Sequence, residues 1–210
     1  TAKPSMAGLG TAARRFASQL GGTAHDAPEQ SITDLTDSFL TELANAAQRA
    51  VVLAARMIPA KSSVLTCSYS SLALEVLTKV RPDTVLVYVP PGTYEEHGIR
   101  MAEELRECDR AIEVVREPLT DERFKTLSMA VVGADSVTPE LVVNGSPTLE
   151  MAQAFQGHAP FYIVSERIKL TREVEVVPGY DRVPIELVTG IITEDGVLAP
   201  GILEQWVCLD

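Results

Sequence analysis

Cys67, Asp135 and a cluster of hydroxyls, Thr66, Ser68, Tyr69 and Ser70, are the residues whose types and spacing could do chemistry. The cysteine and hydroxyls fall in Val64–Val80, which reads as a short buried strand (Val64, Leu65), a hydroxyl-rich turn, and a helix from Ser70 or Ser71. A turn of that kind offers backbone N–H groups at the positive end of a helix, where phosphate is the usual guest. Ser68 and Ser70 would then serve as phosphate ligands. A thiol at a helix N-terminus has a lowered pKa, so Cys67 reads either as a nucleophile or proton-transfer group or as a small buried thiol. Asp135 follows the apolar run Met129–Gly133, where a carboxylate is costly unless it lies at a sheet rim with a partner. It reads either as a general acid/base, as a partner for a ligand hydroxyl, or as a rim aspartate capping the next turn.

Other chemistries lack their residues. No G-x-G-x-x-G follows a strand-like run, and there is no P-loop. His25, His97 and His158 read as loop residues, and no spacing suits a metal. No metal and no cofactor is therefore expected. A net charge of −11 argues against coating nucleic acid. Three distant cysteines, Cys67, Cys108 and Cys208, suggest reduced thiols and a cytoplasmic protein. No apolar run reaches membrane-spanning length, so no membrane partner is expected.

Thr1–Leu20 reads as a helix after Pro4, Gly21–Gln30 as a polar linker, and Ser31–Ile58 as a long helix ended by Pro59. Thr84–Val89 is apolar throughout, which favours a strand buried on both faces of a parallel sheet. Helices are expected over Ile99–Glu107, Asp121–Leu127 and Thr148–Gln156. Strands are expected over Ala111–Val115, Met129–Gly133, Leu141–Val143, Phe161–Val164 and, at an edge, Glu173–Val177. Val183–Val188 reads as a turn with a short helical piece, and the apolar tail through Trp206 as packed, with a subunit contact expected there. The alternation points to an open, doubly wound, mainly parallel α/β sheet over residues 61–210, after a helical region over 1–60. In such sheets ligands lie beyond the carboxyl ends of the strands, where Cys67, Pro90–Thr93, Asp135 and Ser165 all fall.

Five stretches together are more specific than any one: LTCSYS (Leu65–Ser70), VVGADSV (Val131–Val137), NGSPT (Asn144–Thr148), PFYIVSERIKL (Pro160–Leu170) and YDRVPIELVTGIITEDGVLAP (Tyr180–Pro200). Over roughly Ala50–Pro200 the chain resembles the regulatory alpha, beta and delta subunits of translation initiation factor 2B. That family also holds methylthioribose-1-phosphate isomerase and ribose-1,5-bisphosphate isomerase. The resemblance implies a helical N-terminal part, here shortened, and a Rossmann-like domain through which subunits dimerise. In the isomerases it implies a cysteine in the first turn and the aspartate of the GAD turn, matched by Asp135. It also implies that Asn144 and Thr148 face the ligand.

The departures decide which branch is favoured. The isomerases read L-T-H-C, whereas Ser68 holds the cysteine's place here and Cys67 comes one position early. The family's N-K-x-G-T reads Asn144-Gly145-Ser146-Pro147-Thr148, and T-E-x-R-P reads Pro90-Pro91-Gly92-Thr93-Tyr94. A lysine and an arginine that would hold an anionic sugar phosphate are thus lost. The expectation is a cytoplasmic subunit-like binding or regulatory protein with a nucleotide- or sugar-phosphate-type pocket. It would form a homodimer or pair with related subunits. The alternative is an aldose–ketose isomerase of a phosphorylated ribose-type sugar, using Asp135 and either Cys67 or a hydroxyl.

Overall fold

The computed structural model describes residues 7–21, 29–92, 94–108, 111–120, 122 and 126–207. Lys3–Met6, His25, Cys208 and most of the helix expected over 121–127 lie outside the described residues. Two helices come first, α1 (Ala7–Gly21) and α2 (Glu29–Met57). In α2, Phe39, Ala46, Ala50, Val51 and Ala54 recur at helical spacing and are buried, and the helix stops two residues before Pro59. There follow β1 (Ser63–Cys67), α3 (Ser71–Val80), β2 (Thr84–Tyr88), α4 (Glu95–Glu107), β3 (Ile112–Val115) and β4 (Met129–Gly133). Next come the short strands β5 (Ser136–Val137) and β6 (Leu141–Gly145), then α5 (Thr148–Phe155), β7 (Phe161–Val164) and β8 (Tyr180–Pro184). The chain ends with β9 (Gly190–Thr193), β10 (Gly196–Leu198) and α6 (Leu203–Val207).

Seven strands form the main sheet in the order β10-β9-β7-β4-β1-β2-β3, parallel except for β10. The connections run outward from β1 to β3, then restart at β4 and run the other way. The reversal lies between β1 and β4, so the topological switch point sits beyond Cys67 and Gly133. One face packs α2, α3 and α4 over Val64, Val85, Val87 and Val131. The other packs α5 and Leu203 of α6 over Leu65, Leu86, Ala130 and Ile163. Double coverage explains why β4 is buried at every position, and each fully buried valine there contributes about 1.5–3 kcal/mol.

A second, three-stranded antiparallel sheet, β5-β6-β8, joins the α5 face. It absorbs Leu141–Val143, read from sequence as a strand or hairpin arm, and gives Val183 and Pro184 to β8 rather than to a turn. Glu173–Val177, expected as an edge strand, is irregular. None of its five residues is buried, so its alternation has no core face to serve, and β8 takes the place beside β6. Likewise α4 starts at Glu95 rather than Ile99, which makes His97 helical and not a loop residue. Glu95 and Glu96 in its first turn suit the helix dipole.

Candidate functional site

Side-chain alternation along the strands divides the expected site residues between the two faces. Val64 faces the α2 side, and Thr66 follows it by parity; Leu65 and Cys67 face the α5 side. The same parity carries Asp135, two beyond Gly133, to the α2 side. It does the same for Glu166, two beyond Val164, and Glu194, two beyond Ile192. Three adjacent parallel strands, β4, β7 and β9, thus aim one carboxylate each past the rim. They line a cleft of about 470 Å³ closed on its other side by α1 and α2.

The helices bring cations to that cleft. Arg15 of α1 and Arg49 of α2 face it, together with Arg167 and Lys169 from the turn after β7. Arg15 Nη2 donates to Glu42 Oε1 at 2.9 Å. Lys169 Nζ lies 2.9 Å from Glu166 Oε2, a charge contact whose geometry is not that of a hydrogen bond. The Arg167 backbone N–H donates to Glu194 Oε2 at 2.9 Å, and its guanidinium reaches Asp195 at 3.4 Å. That guanidinium also lies 5.2 Å from the Trp206 ring, which packs on the core as the tail reading expects. The half-buried Asp135 is held through its backbone N–H, which donates to Val143 O at 2.8 Å. Of the residues singled out from sequence for chemistry or ligand contact, Asp135 alone lines this cleft.

Cys67 lies elsewhere. It is the last residue of β1, three before the Ser70 cap, with its sulfur 3.4 Å from Thr148 Oγ1 on the α5 side. Burial pushes its thiol up to about 12, opposed by the Thr148 contact and assisted by Asp181 and Glu150. The lowered pKa expected of a thiol at a helix N-terminus is therefore corrected: desolvation in an apolar layer overrides the helix end. Nearby, Tyr88 donates its hydroxyl to Glu150 Oε1; burial first, and then that carboxylate, raise the phenol pKa. Thr148 and Asn144 serve the same buried layer. Thr148 Oγ1 donates to Gly145 O at 2.6 Å, and Asn144 Nδ2 donates to Thr148 Oγ1 at 2.9 Å.

The hydroxyl turn is likewise taken up internally. Ser70 caps α3, its Oγ accepting from Ala73 N at 3.3 Å. Tyr69 points to α4, donating to Glu104 Oε2 at 3.0 Å beneath the Arg100 guanidinium, which sits 3.9 Å over its ring. Ser68 is buried with φ 56°, in the left-handed region. Thr66 is buried, and its hydroxyl has no hydrogen-bond partner among the described residues.

Sequence reasoning missed the cations and two of the three carboxylates. From sequence Glu194 reads with Asp195 as an acidic pair in the turn before Gly196, whereas the signal for Glu166 was available, because it follows its strand by the same two-residue step as Asp135. It also missed Asp181 in β8, which caps α5 from across the second sheet. Asp181 Oδ2 accepts from Leu149 N at 2.9 Å and Oδ1 from Ser146 Oγ at 2.6 Å, whereas Pro147 at the cap position offers no side-chain bond.

Comparison with known proteins places this geometry. The model of the initiation factor 2 subunit family matches residues 1–177, a range that ends before the Tyr180–Pro200 stretch. A relative from Pyrococcus furiosus, named translation initiation factor eIF-2B subunit 2-like, is 26% identical over 186 residues, spanning 78% of this chain and 67% of the relative. Its Pyrococcus horikoshii counterpart is 28% identical over 184 residues, spanning 77% and 67%. The crystal structure of the Pyrococcus horikoshii OT3 translation initiation factor eIF-2B superposes with TM-score 0.77 at 26% identity, covering 94% of this chain and 77% of that one. A chain of the tetrameric eIF2B-beta2-delta2 complex from C. thermophilum shares the fold, with TM-score 0.75 at 16% identity, covering 97% and 74%. With five-sixths of its length matched by the family model, and this sheet and helical region in common with solved relatives, the chain belongs to the initiation factor 2 subunit family.

Proposed function

We propose that this protein is a binding or regulatory subunit that takes a small phosphorylated ligand in the cleft between α1, α2 and the sheet rim. The observation that carries the reading is the opposition of charges across that cleft. The carboxylates of Asp135, Glu166, Glu194 and Asp195 outnumber the cations Arg167 and Lys169 on the strand side, and the guanidiniums of Arg15 and Arg49 outnumber the Glu42 carboxylate on the helix side. A molecule with an anionic group at one end and hydroxyls at the other satisfies both walls, since carboxylates accept from hydroxyls and guanidiniums donate to phosphate oxygens. The burial of Cys67 on the opposite face supports binding over sugar isomerisation, which needs a thiol or equivalent near Asp135. Assembly with a second copy or a related subunit belongs to this reading, and the tetrameric complex of the C. thermophilum relatives supports it.

Calorimetric titration with ribose 5-phosphate and adenosine monophosphate tests the cleft. Binding of either, weakened about tenfold in Arg49→Ala and in Asp135→Asn, is the expected outcome. Affinity unaffected by both substitutions refutes the site. Ketose formation from ribose-1,5-bisphosphate that is lost in Asp135→Asn refutes the non-enzymatic role. A monomer in light scattering at micromolar concentration refutes the assembly.

A further inference from the structure

The crevice between the carboxyl ends of β1 and β4 is the place where an open α/β sheet ordinarily admits a ligand. In this molecule two serines of the 66–71 turn stand beyond those ends, Ser70 against Gly133 at the end of β4 and Ser68 against Gly145 at the end of β6. A Cβ built on Gly133 would overlap the Ser70 side chain, and one built on Gly145 would overlap Ser68 Oγ. Neither glycine has a positive φ, so neither is required by its backbone conformation. Space is what they supply: each is a socket for a serine of the 66–71 turn. Ser68 reaches its socket from a left-handed backbone that non-glycine residues adopt at a cost, and it is buried there. A side chain at position 145 would emerge between Ser68 and His97, whose Nδ1 lies 3.8 Å from the built Cβ.

We infer that Ser68 with Gly145, and Ser70 with Gly133, form paired plugs that close the switch-point crevice. They set the specificity of the ligand site by confining it to the α1–α2 cleft. Serine at 68 and glycine at 145 are then one coupled feature rather than two separate departures from the sugar-isomerase pattern. Confinement of the ligand rests on the cleft being the binding site; the plug itself does not.

The experiment is a thermal and calorimetric cycle on the full chain. Gly145→Ala is expected to lower Tm by about 6 °C, because the added methyl must displace a buried serine. Ser68→Gly in that background is expected to restore most of the loss. Equal Tm losses in Gly145→Ala and the double variant overturn the plug. Ribose 5-phosphate affinity is expected to stay within about twofold in Ser68→Gly and to fall about tenfold in Arg49→Ala. A tenfold loss in Ser68→Gly makes Ser68 a ligand contact and overturns the confinement. If the Tm cycle shows coupling while no variant alters binding, the cleft reading has failed and the plug stands.

Discussion

Asp181→Ala removes a helix cap that arrives from another part of the chain. The carboxylate accepts two hydrogen bonds, from Leu149 N at 2.9 Å and from Ser146 Oγ at 2.6 Å, at the N-terminus of α5. A hydrogen bond to a charged group contributes about 1.5–3 kcal/mol, and the helix dipole adds about 0.5 kcal/mol. Asp181 is only half-buried, so the lower ends apply, and the expected loss is about 3 kcal/mol. For a chain of this length that lowers Tm by roughly 6–12 °C. Asp181→Asn keeps one acceptor and loses the charge, so it should recover about half. Urea denaturation followed by far-UV circular dichroism measures both. A loss under about 0.5 kcal/mol for Asp181→Ala would show that α5 is held by its apolar face alone, and the cap assignment would be wrong.

Other outcomes follow from the same packing. The Cys67 thiol is raised from 9.0 to about 12, so the folded state keeps a proton that the unfolded chain has lost. Its stabilising contribution is full below pH 9 and is lost as pH rises from 9 toward 12, to a total of about 4 kcal/mol. Cys67→Ala should flatten that alkaline limb, and an unchanged limb in pH-dependent melting would refute the assignment. Thiol labelling of the native protein at pH 8 should mark exposed Cys108 and spare Cys67; a modified Cys67 peptide by mass spectrometry would contradict its burial. Gly98→Ala should cost about 1–3 kcal/mol, because its Cβ would come within 2.7 Å of Val89 Cγ2 and the branched valine cannot turn aside. A neutral result in denaturant melts would mean that α4 rides farther from β2 than described.

The main sheet was legible because its strands are buried on both faces. Thr84–Val89 and Met129–Gly133 have little but apolar residues, and such runs between helices admit few readings. Short strands are harder. Ser136–Val137 is two residues long, and its only sequence mark is its place after the GAD turn. Glu173–Val177 carries the alternation of a strand without a surface to pack on, so local pattern misled. For Cys67 the location at the rim and its one-position offset were legible, and the strand explains what the offset does: adjacent residues point to opposite sides, and one position separates the cleft wall from the core beneath α5. The capping role of Asp181 was invisible for a different reason, since it depends on the register that sets Asn144 opposite Asp181 across β6 and β8.

The two outer strands of the main sheet, β3 and β10, have four and three residues. Strands that short leave few unpaired backbone groups for an incoming chain to match. Copies therefore gain little by extending the sheet end to end, and the molecule is guarded against open-ended fibre growth. Edges of this kind leave side-chain surfaces as the place where a contact between chains could form and a finite complex close on itself.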